Sequence, residues 1–205
     1  MDTSPYKWSV WLRVAAYLAV AVTAVGIASL ADRPVAEYSI RHLSDQGELY
    51  NMLRMAGYLP LWIVIAIAFA MIDAPLGWRG LRSRGALLLT SVVVSGAAAE
   101  VLKMLVRRER PVPPFTEYVF RPWQQDTFSS SGLGWPSSHS AVAFAAVWVL
   151  CRLHPRASLM WILIGVGCAV SRLARNDHFL SDVVGGAIVA YGVVMMLAPR
   201  REPAP

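Results

Sequence analysis

The chain has 205 residues, 56% of them hydrophobic, and a mean hydropathy of +0.47. That is more apolar surface than a water-soluble domain of this size carries. The formal charge is +6, but the basic residues gather at the ends of apolar runs. There they set membrane orientation or meet lipid headgroups, so we exclude nucleic acid as a partner.

The pattern predicts an all-α, polytopic membrane protein with six transmembrane helices, each needing roughly 20 apolar residues to cross the hydrocarbon. No polar linker divides the chain, so residues 1–205 read as a single domain. The first helix covers residues 11–30. It is too long for a signal-peptide core and lacks a clear cleavage site, so it reads as retained. Residues 31–55 are polar and mildly amphipathic, and are expected to lie in the interface between the first two spans. The second span covers 56–72, followed by a short loop with Arg79, Arg82 and Arg84. The third covers 85–106, where Gly96, Ala97, Ala98 and Ala99 allow close helix packing. Residues 107–136 form a long loop rich in Pro, Ser and Gly, with Trp123 and Trp135 as expected headgroup anchors. The last three spans cover 137–153, 157–173 and 180–197, and the tail 199–205 is expected to be disordered. Cys151 and Cys168 sit inside apolar runs and read as buried thiols, with no disulfide or zinc spacing.

Six crossings put both termini on one side. Basic residues divide almost evenly between the two sides. However, Lys103, Arg110 and Arg172 on the second side belong to polar clusters and have another reason to be there. The short loop with Arg79, Arg82 and Arg84 therefore decides the orientation, and the termini are expected in the cytoplasm of a cell membrane, the bacterial inner membrane.

Three polar clusters then fall together on the extracytoplasmic face. The first is Lys103 with Arg110-Pro111, the second Pro136-Ser137-Ser138-His139, the third Ser171-Arg172 with His178 and Asp182. Charged groups in or beside a bilayer are costly and mark function. Fixed cations can neutralise the charge of a breaking P–O bond without a metal. Arg172 can grip two oxygens through its planar fork, while Lys103 acts as a point charge. Ser137 and the amides around Ser138 open a helix, where free N–H groups favour an anion. One histidine can attack phosphorus and the other can protonate the leaving oxygen. Asp182 follows His178 by four residues, one helical turn, and can hold its ring. His178 is thus the expected nucleophile and His139 the general acid. Taken singly, the bland readings compete. A histidine at a helix start is more often a cap. Arg107, Arg108 and Arg175 read as headgroup contacts or topology signals, His42 and His154 as surface residues, and Glu100 and Glu109 as partners of neighbouring arginines.

Together the clusters resemble a family. Lys103, six residues, then Arg110-Pro111; Pro136-Ser137-Ser138-His139; and Ser171-Arg172, five residues, His178, three residues, Asp182 are similar to the three motifs of the type 2 phosphatidic acid phosphatases. These share a site with vanadium haloperoxidases and bacterial acid phosphatases. The resemblance implies a phosphohistidine on His178, acid catalysis by His139, and phosphate binding by Lys103, Arg110, Ser137, Ser138 and Arg172. It implies turnover with no metal and no cofactor, on a lipid phosphate held in the bilayer. Undecaprenyl diphosphate, phosphatidylglycerophosphate, phosphatidic acid and lipid A 1-phosphate are candidate substrates. Ser138 departs from the family's usual Gly. If the backbone there needed φ > 0, serine would cost about 1 kcal/mol. A lipid phosphotransferase would use the same site, and a transporter or binder would use only the cations. The His178–Asp182 pair argues against the latter, since binding alone needs no oriented imidazole.

Overall fold

A computed structural model describes residues 5–43, 47–76 and 83–198. Eight α-helices run α1 (Pro5–Leu30), α2 (Asp32–His42), α3 (Glu48–Met55), α4 (Leu59–Asp73), α5 (Arg84–Val106), α6 (Ser138–Leu153), α7 (Ser158–Ala174) and α8 (Leu180–Leu197). Short 3₁₀ turns follow α4 and precede α7. Among the described residues there is no strand, only two isolated bridges in the long loop. Arg79, Arg82 and the tail 199–205, which the sequence reading used for topology and disorder, lie outside the described residues.

Among the described residues four helices are long and apolar enough to cross a membrane: Val10–Leu30, Arg84–Val106, Pro155–Ala174 and Leu180–Leu197. The pair α3 and α4 makes a fifth if counted as one span, bent by 52°. The protein is a multi-pass membrane protein. Helices stand near each of the six expected stretches, but four to five qualify as spans: α4 does so only together with α3, and α6 has only 16 residues. The stretch expected at the interface is not one segment. Its second half, α3, leads into α4 through the break at Ala56, Gly57 and Tyr58.

α1 and α6 show why sequence sorts them differently. α1 is apolar on every face and exposes Trp11, Leu18, Val20, Val22 and Leu30, which suits a lipid-facing helix. α6 is central, packed against α5, α7 and α8. Its Ala141, Ala143, Ala145, Ala146 and Val149 are fully buried. Small side chains let helix backbones approach, which suits a helix with neighbours on all sides. The approach is closest at Gly186 of α8, where a Cβ would stand 2.5 Å from the Ser137 carbonyl oxygen. That contact joins the start of α6 to the start of α8, and the Ser137 amide donates to the Asp182 carbonyl oxygen at 2.9 Å.

The far end of α4 is tied to α5. Asp73 is fully buried and accepts from the Arg84 amide at 2.6 Å and its Nε at 2.7 Å. Ser83 caps α5, accepting from the Ala86 amide at 3.1 Å. Arg84 therefore serves a structural clasp as well as any topology signal.

Candidate active site

The three polar clusters meet at one end of the bundle. Lys103 stands in the last turn of α5, Ser137, Ser138 and His139 open α6, Arg172 ends α7, and His178 and Asp182 frame the start of α8. Lys103 lies within electrostatic reach of Arg110 and Asp182. His139 lies within reach of Lys103, Arg172 and His178. All eight residues singled out from sequence are thus brought together.

The loop after α5 is folded onto the bundle. Arg107 turns the chain in the left-handed conformation, and residues 108–110 then run between two other pieces of the loop. The Glu109 amide donates to the Val119 carbonyl at 2.8 Å, and the Gly134 amide to the Arg108 carbonyl at 2.7 Å. Arg107 is not a headgroup contact. It is 1% exposed, and its guanidinium donates to the carbonyls of Arg121 at 3.1 Å and Pro122 at 3.0 Å, and also to Gln125. It holds the loop from inside. Trp135 packs against Gly185 of α8, while Trp123 is 57% exposed.

Arg108 was likewise expected at the lipid headgroups. It is instead buried between the rings of Tyr118 and Phe179, at 4.7 and 5.4 Å from their centroids. It donates to Asp182 and to the Ser181 hydroxyl at 2.8 Å. Ser181 in turn donates its amide to Asp32 of α2 at 2.7 Å, and Asp32 also accepts from the Tyr118 hydroxyl at 2.8 Å. A buried cation is thereby matched by two buried carboxylates, the arrangement that makes such burial tolerable. Alternation offers the signal for it. In an extended segment, residues two apart share a side, and Arg108 and Arg110 both reach the turn between α7 and α8.

His178 does not share a helix face with Asp182. It precedes α8, and Asp182 is the third residue of that helix, reaching back to accept from the Phe179 amide at 2.7 Å. This is a capping contact, and it leaves the same carboxylate oxygen 3.6 Å from His178 Nδ1. That distance is electrostatic contact, longer than a hydrogen bond. His178 is 3% exposed. Burial pushes its imidazole below the ordinary value, and the Asp182 carboxylate opposes that shift. With Nδ1 turned to Asp182, the other ring nitrogen is free to meet a substrate.

His139 is held differently. Its ring meets Tyr58 edge to face at 5.4 Å. Gly57 lies so close that a Cβ there would stand 2.7 Å from His139 Cβ. Both neighbours come from the break between α3 and α4. Arg54 of α3 stacks over Tyr58 at 5.3 Å and adds a cation within reach of His139 and Arg172. Sequence reasoning had set Arg54 in the interfacial stretch.

Ser137 is fully buried and caps α6, accepting from the Ser140 amide at 3.4 Å. Its oxygen also accepts from the Ser140 hydroxyl at 3.1 Å, which leaves its own O–H as a donor. Ser138 is the first residue of α6 and does not have positive φ, so no strain attends serine there. Its hydroxyl donates to Glu100, which also takes Lys103 Nζ at 3.0 Å. Glu100 therefore pairs with a lysine and a serine, not with an arginine. The remaining cations converge on Asp177: Arg172 Nη2 at 2.9 Å, Arg110 Nη1 at 3.2 Å and Arg175 Nε at 3.3 Å.

A groove of about 470 Å³ opens beside the site, lined by Tyr58, Leu59, Val93, Ala97 and Val142, with Glu100, Ser138 and His139 at its polar end. Larger cavities of about 700 and 560 Å³ lie around Arg156 and touch none of these residues. Among the described residues no three His, Cys, Asp or Glu side chains cluster as a metal site would need.

The chain is similar to known proteins in sequence and in fold. The sequence model of the PAP2 superfamily matches residues 84–202. A lipid A 1-phosphatase of Rhizobium etli is 31% identical over 108 residues, 53% of this chain and 45% of that protein. The match thus spans less than half the length of that relative. A decaprenylphosphoryl-5-phosphoribose phosphatase of Mycolicibacterium smegmatis is 32% identical over 161 residues, 78% of this chain and 76% of that protein. In fold, the chain is similar to the crystal structure of a transmembrane PAP2 type phosphatidylglycerolphosphate phosphatase from Bacillus subtilis. The TM-score is 0.61 at 21% identity, covering 89% of this chain and 92% of that one.

Proposed function

The chain belongs to the PAP2 superfamily, and from that premise we propose that it removes a phosphate from a membrane lipid through a covalent intermediate on His178. The observation that carries this reading is the fixing of Asp182. Arg108 and the Phe179 amide hold its carboxylate beside the buried His178 imidazole, while cations from the other clusters stand within reach.

The free ring nitrogen of His178 attacks phosphorus as the P–O bond to the lipid breaks. His139 gives its proton to the departing oxygen. Lys103, Arg110, Arg172 and the first amides of α6 take the charge of the phosphoryl oxygens. Water then attacks the phosphohistidine with His139 as base. This releases inorganic phosphate and restores both rings. No step needs a metal. The lipid chain lies in the groove between α4, α5 and α6, which is apolar below and polar only beside His139 and Glu100.

The site opens on the extracytoplasmic side, with both termini in the cytoplasm. The substrate is a phosphomonoester or diphosphate headgroup such as phosphatidic acid, phosphatidylglycerophosphate, undecaprenyl diphosphate or lipid A 1-phosphate. The test is phosphate release by the purified protein across these four lipids in EDTA. Release from at least one is expected. Activity abolished by EDTA and restored by magnesium would overturn metal independence. A cysteine placed at the exposed Gln124 should be labelled from outside intact cells. Labelling only after permeabilisation would reverse the orientation.

A further inference from the structure

Asp177 stands where a substrate phosphate would be gripped. Two of the cations assigned to phosphate, Arg110 from the long loop and Arg172 from α7, both reach its carboxylate, at 3.2 and 2.9 Å. Arg175 joins them at 3.3 Å. The chain reverses at Asn176, which takes positive φ, and the Asp177 amide then donates back to the Arg172 carbonyl at 3.2 Å. Asn accepts that conformation more readily than most residues. The turn thus delivers the carboxylate beneath the guanidinium of the residue five positions earlier.

The pairing is incomplete. Arg172 is 4% exposed, and its buried Nε has no acceptor. Asp177 engages only one terminal nitrogen of that five-donor fork. A buried donor without an acceptor is unfavourable until an anion reaches it. The cradle is therefore built for two anions, one of them supplied by the protein.

Resting on the phosphatase reading above, we propose that Asp177 is an internal counter-anion that limits how tightly the cradle holds phosphate, and so promotes release of the product. An anion among arginines alone would be retained. A carboxylate sharing the same guanidinium groups weakens each of them for phosphate. Asp177 moves no proton and forms no bond in the reaction. It sets the affinity of the groups that do the binding.

The test is binding of inorganic phosphate to the full-length protein in detergent, by titration calorimetry, together with product inhibition of lipid hydrolysis. Asp177→Asn should lower both the dissociation constant and the inhibition constant for phosphate by about tenfold, the scale of one unit charge removed near the ligand. The change should shrink as salt is raised. Arg175→Gln, which leaves the carboxylate to Arg110 and Arg172 alone, should do the opposite and weaken phosphate. A merely structural role would weaken binding in both variants, and that result overturns the proposal. An unchanged constant in well-folded Asp177→Asn overturns it as well. Asp177→Glu, which keeps the charge, should retain the wild-type constant. A wild-type protein that binds no phosphate at all would instead remove the phosphatase reading beneath it.

Discussion

His178 sits in a turn where the neighbouring polar groups are fixed. Asp182 lies 3.6 Å away, locked by Arg108 and the Phe179 amide, and Arg108 is itself clamped by two aromatic rings. His139 sits on the first turn of α6 against Tyr58 and Gly57, at the polar end of an apolar groove. Among the described residues no carboxylate is paired with it, and position 143, one turn on, is Ala143. A ring held by a fixed carboxylate suits repeated attack at one point. A ring held by packing alone, where the lipid leaves, suits proton transfer.

The strongest way to break this contrast is to delete each histidine. His178→Ala should lose turnover and trapped phosphate together. His139→Ala should lose about 10²–10⁴ in rate on a lipid substrate but far less on an activated aryl phosphate, whose oxygen leaves unaided. Rapid-quench trapping of labelled phosphate separates the two. Phosphate trapped on His139, or retained in His178→Ala, reverses the roles.

Next in size is the support of Asp182. Arg108→Met leaves two buried carboxylates without their cation, a loss of about 3–5 kcal/mol by analogy with broken buried pairs. It should appear as a lowered melting temperature and a collapse of turnover. Asp182→Asn keeps the shape and should slow turnover by about 10² or more while the fold persists. Circular dichroism and phosphate release on the same samples give both numbers. Wild-type rate in either variant would make the network structural only.

Much of this was legible beforehand, and the exceptions share a cause. The six apolar runs and the three clusters follow from local composition, so their places could be read directly. Arg108 could not be read as buried, because its partners Asp32 and Asp182 are distant in sequence and alternation with Arg110 gives its side but not its burial. Arg54 and Tyr58 were missed because the break at Gly57 bends α3 toward His139, a tertiary choice that propensity does not carry. The concern over Ser138 dissolved for a simple reason: the residue opens a helix without positive φ, so the absence of Gly costs nothing there.

A smaller effect tests the environment of His178 by pH. The attacking form is the neutral ring. Burial holds its pKa below the ordinary value of about 6.5, with Asp182 opposing. The rate constant kcat/KM should therefore stay level as pH falls through 6.5 and drop only below it. In Asp182→Asn the opposing charge is gone, so the acid limb should move to still lower pH. An acid limb above the ordinary value would mean that Asp182 and not burial dominates this ring, and one that moves upward in the variant would mean that the Asp182 charge does not oppose burial there.

The smallest effect concerns Ser138, on the His139 side. Its hydroxyl donates to Glu100, and Glu100 holds Lys103 at 3.0 Å. Replacing Ser138 by Gly keeps the backbone amide that would face a phosphate. It removes only the hydroxyl bond, worth about 0.5–1.5 kcal/mol, and adds chain freedom at the helix start. Lys103 is then held by Glu100 with one restraint fewer on that carboxylate, which Ser130 still reaches. Ser138→Gly should lower the melting temperature slightly, raise KM a few-fold and leave kcat nearly intact, because neither histidine loses a neighbour. The loss should be smaller still in a Glu100→Gln background, where the hydroxyl no longer meets a charge. If Ser138→Gly instead lowers kcat as much as Asp182→Asn does, serine at this position bears on the chemistry itself. The His139 side would then be as tightly determined as the His178 side.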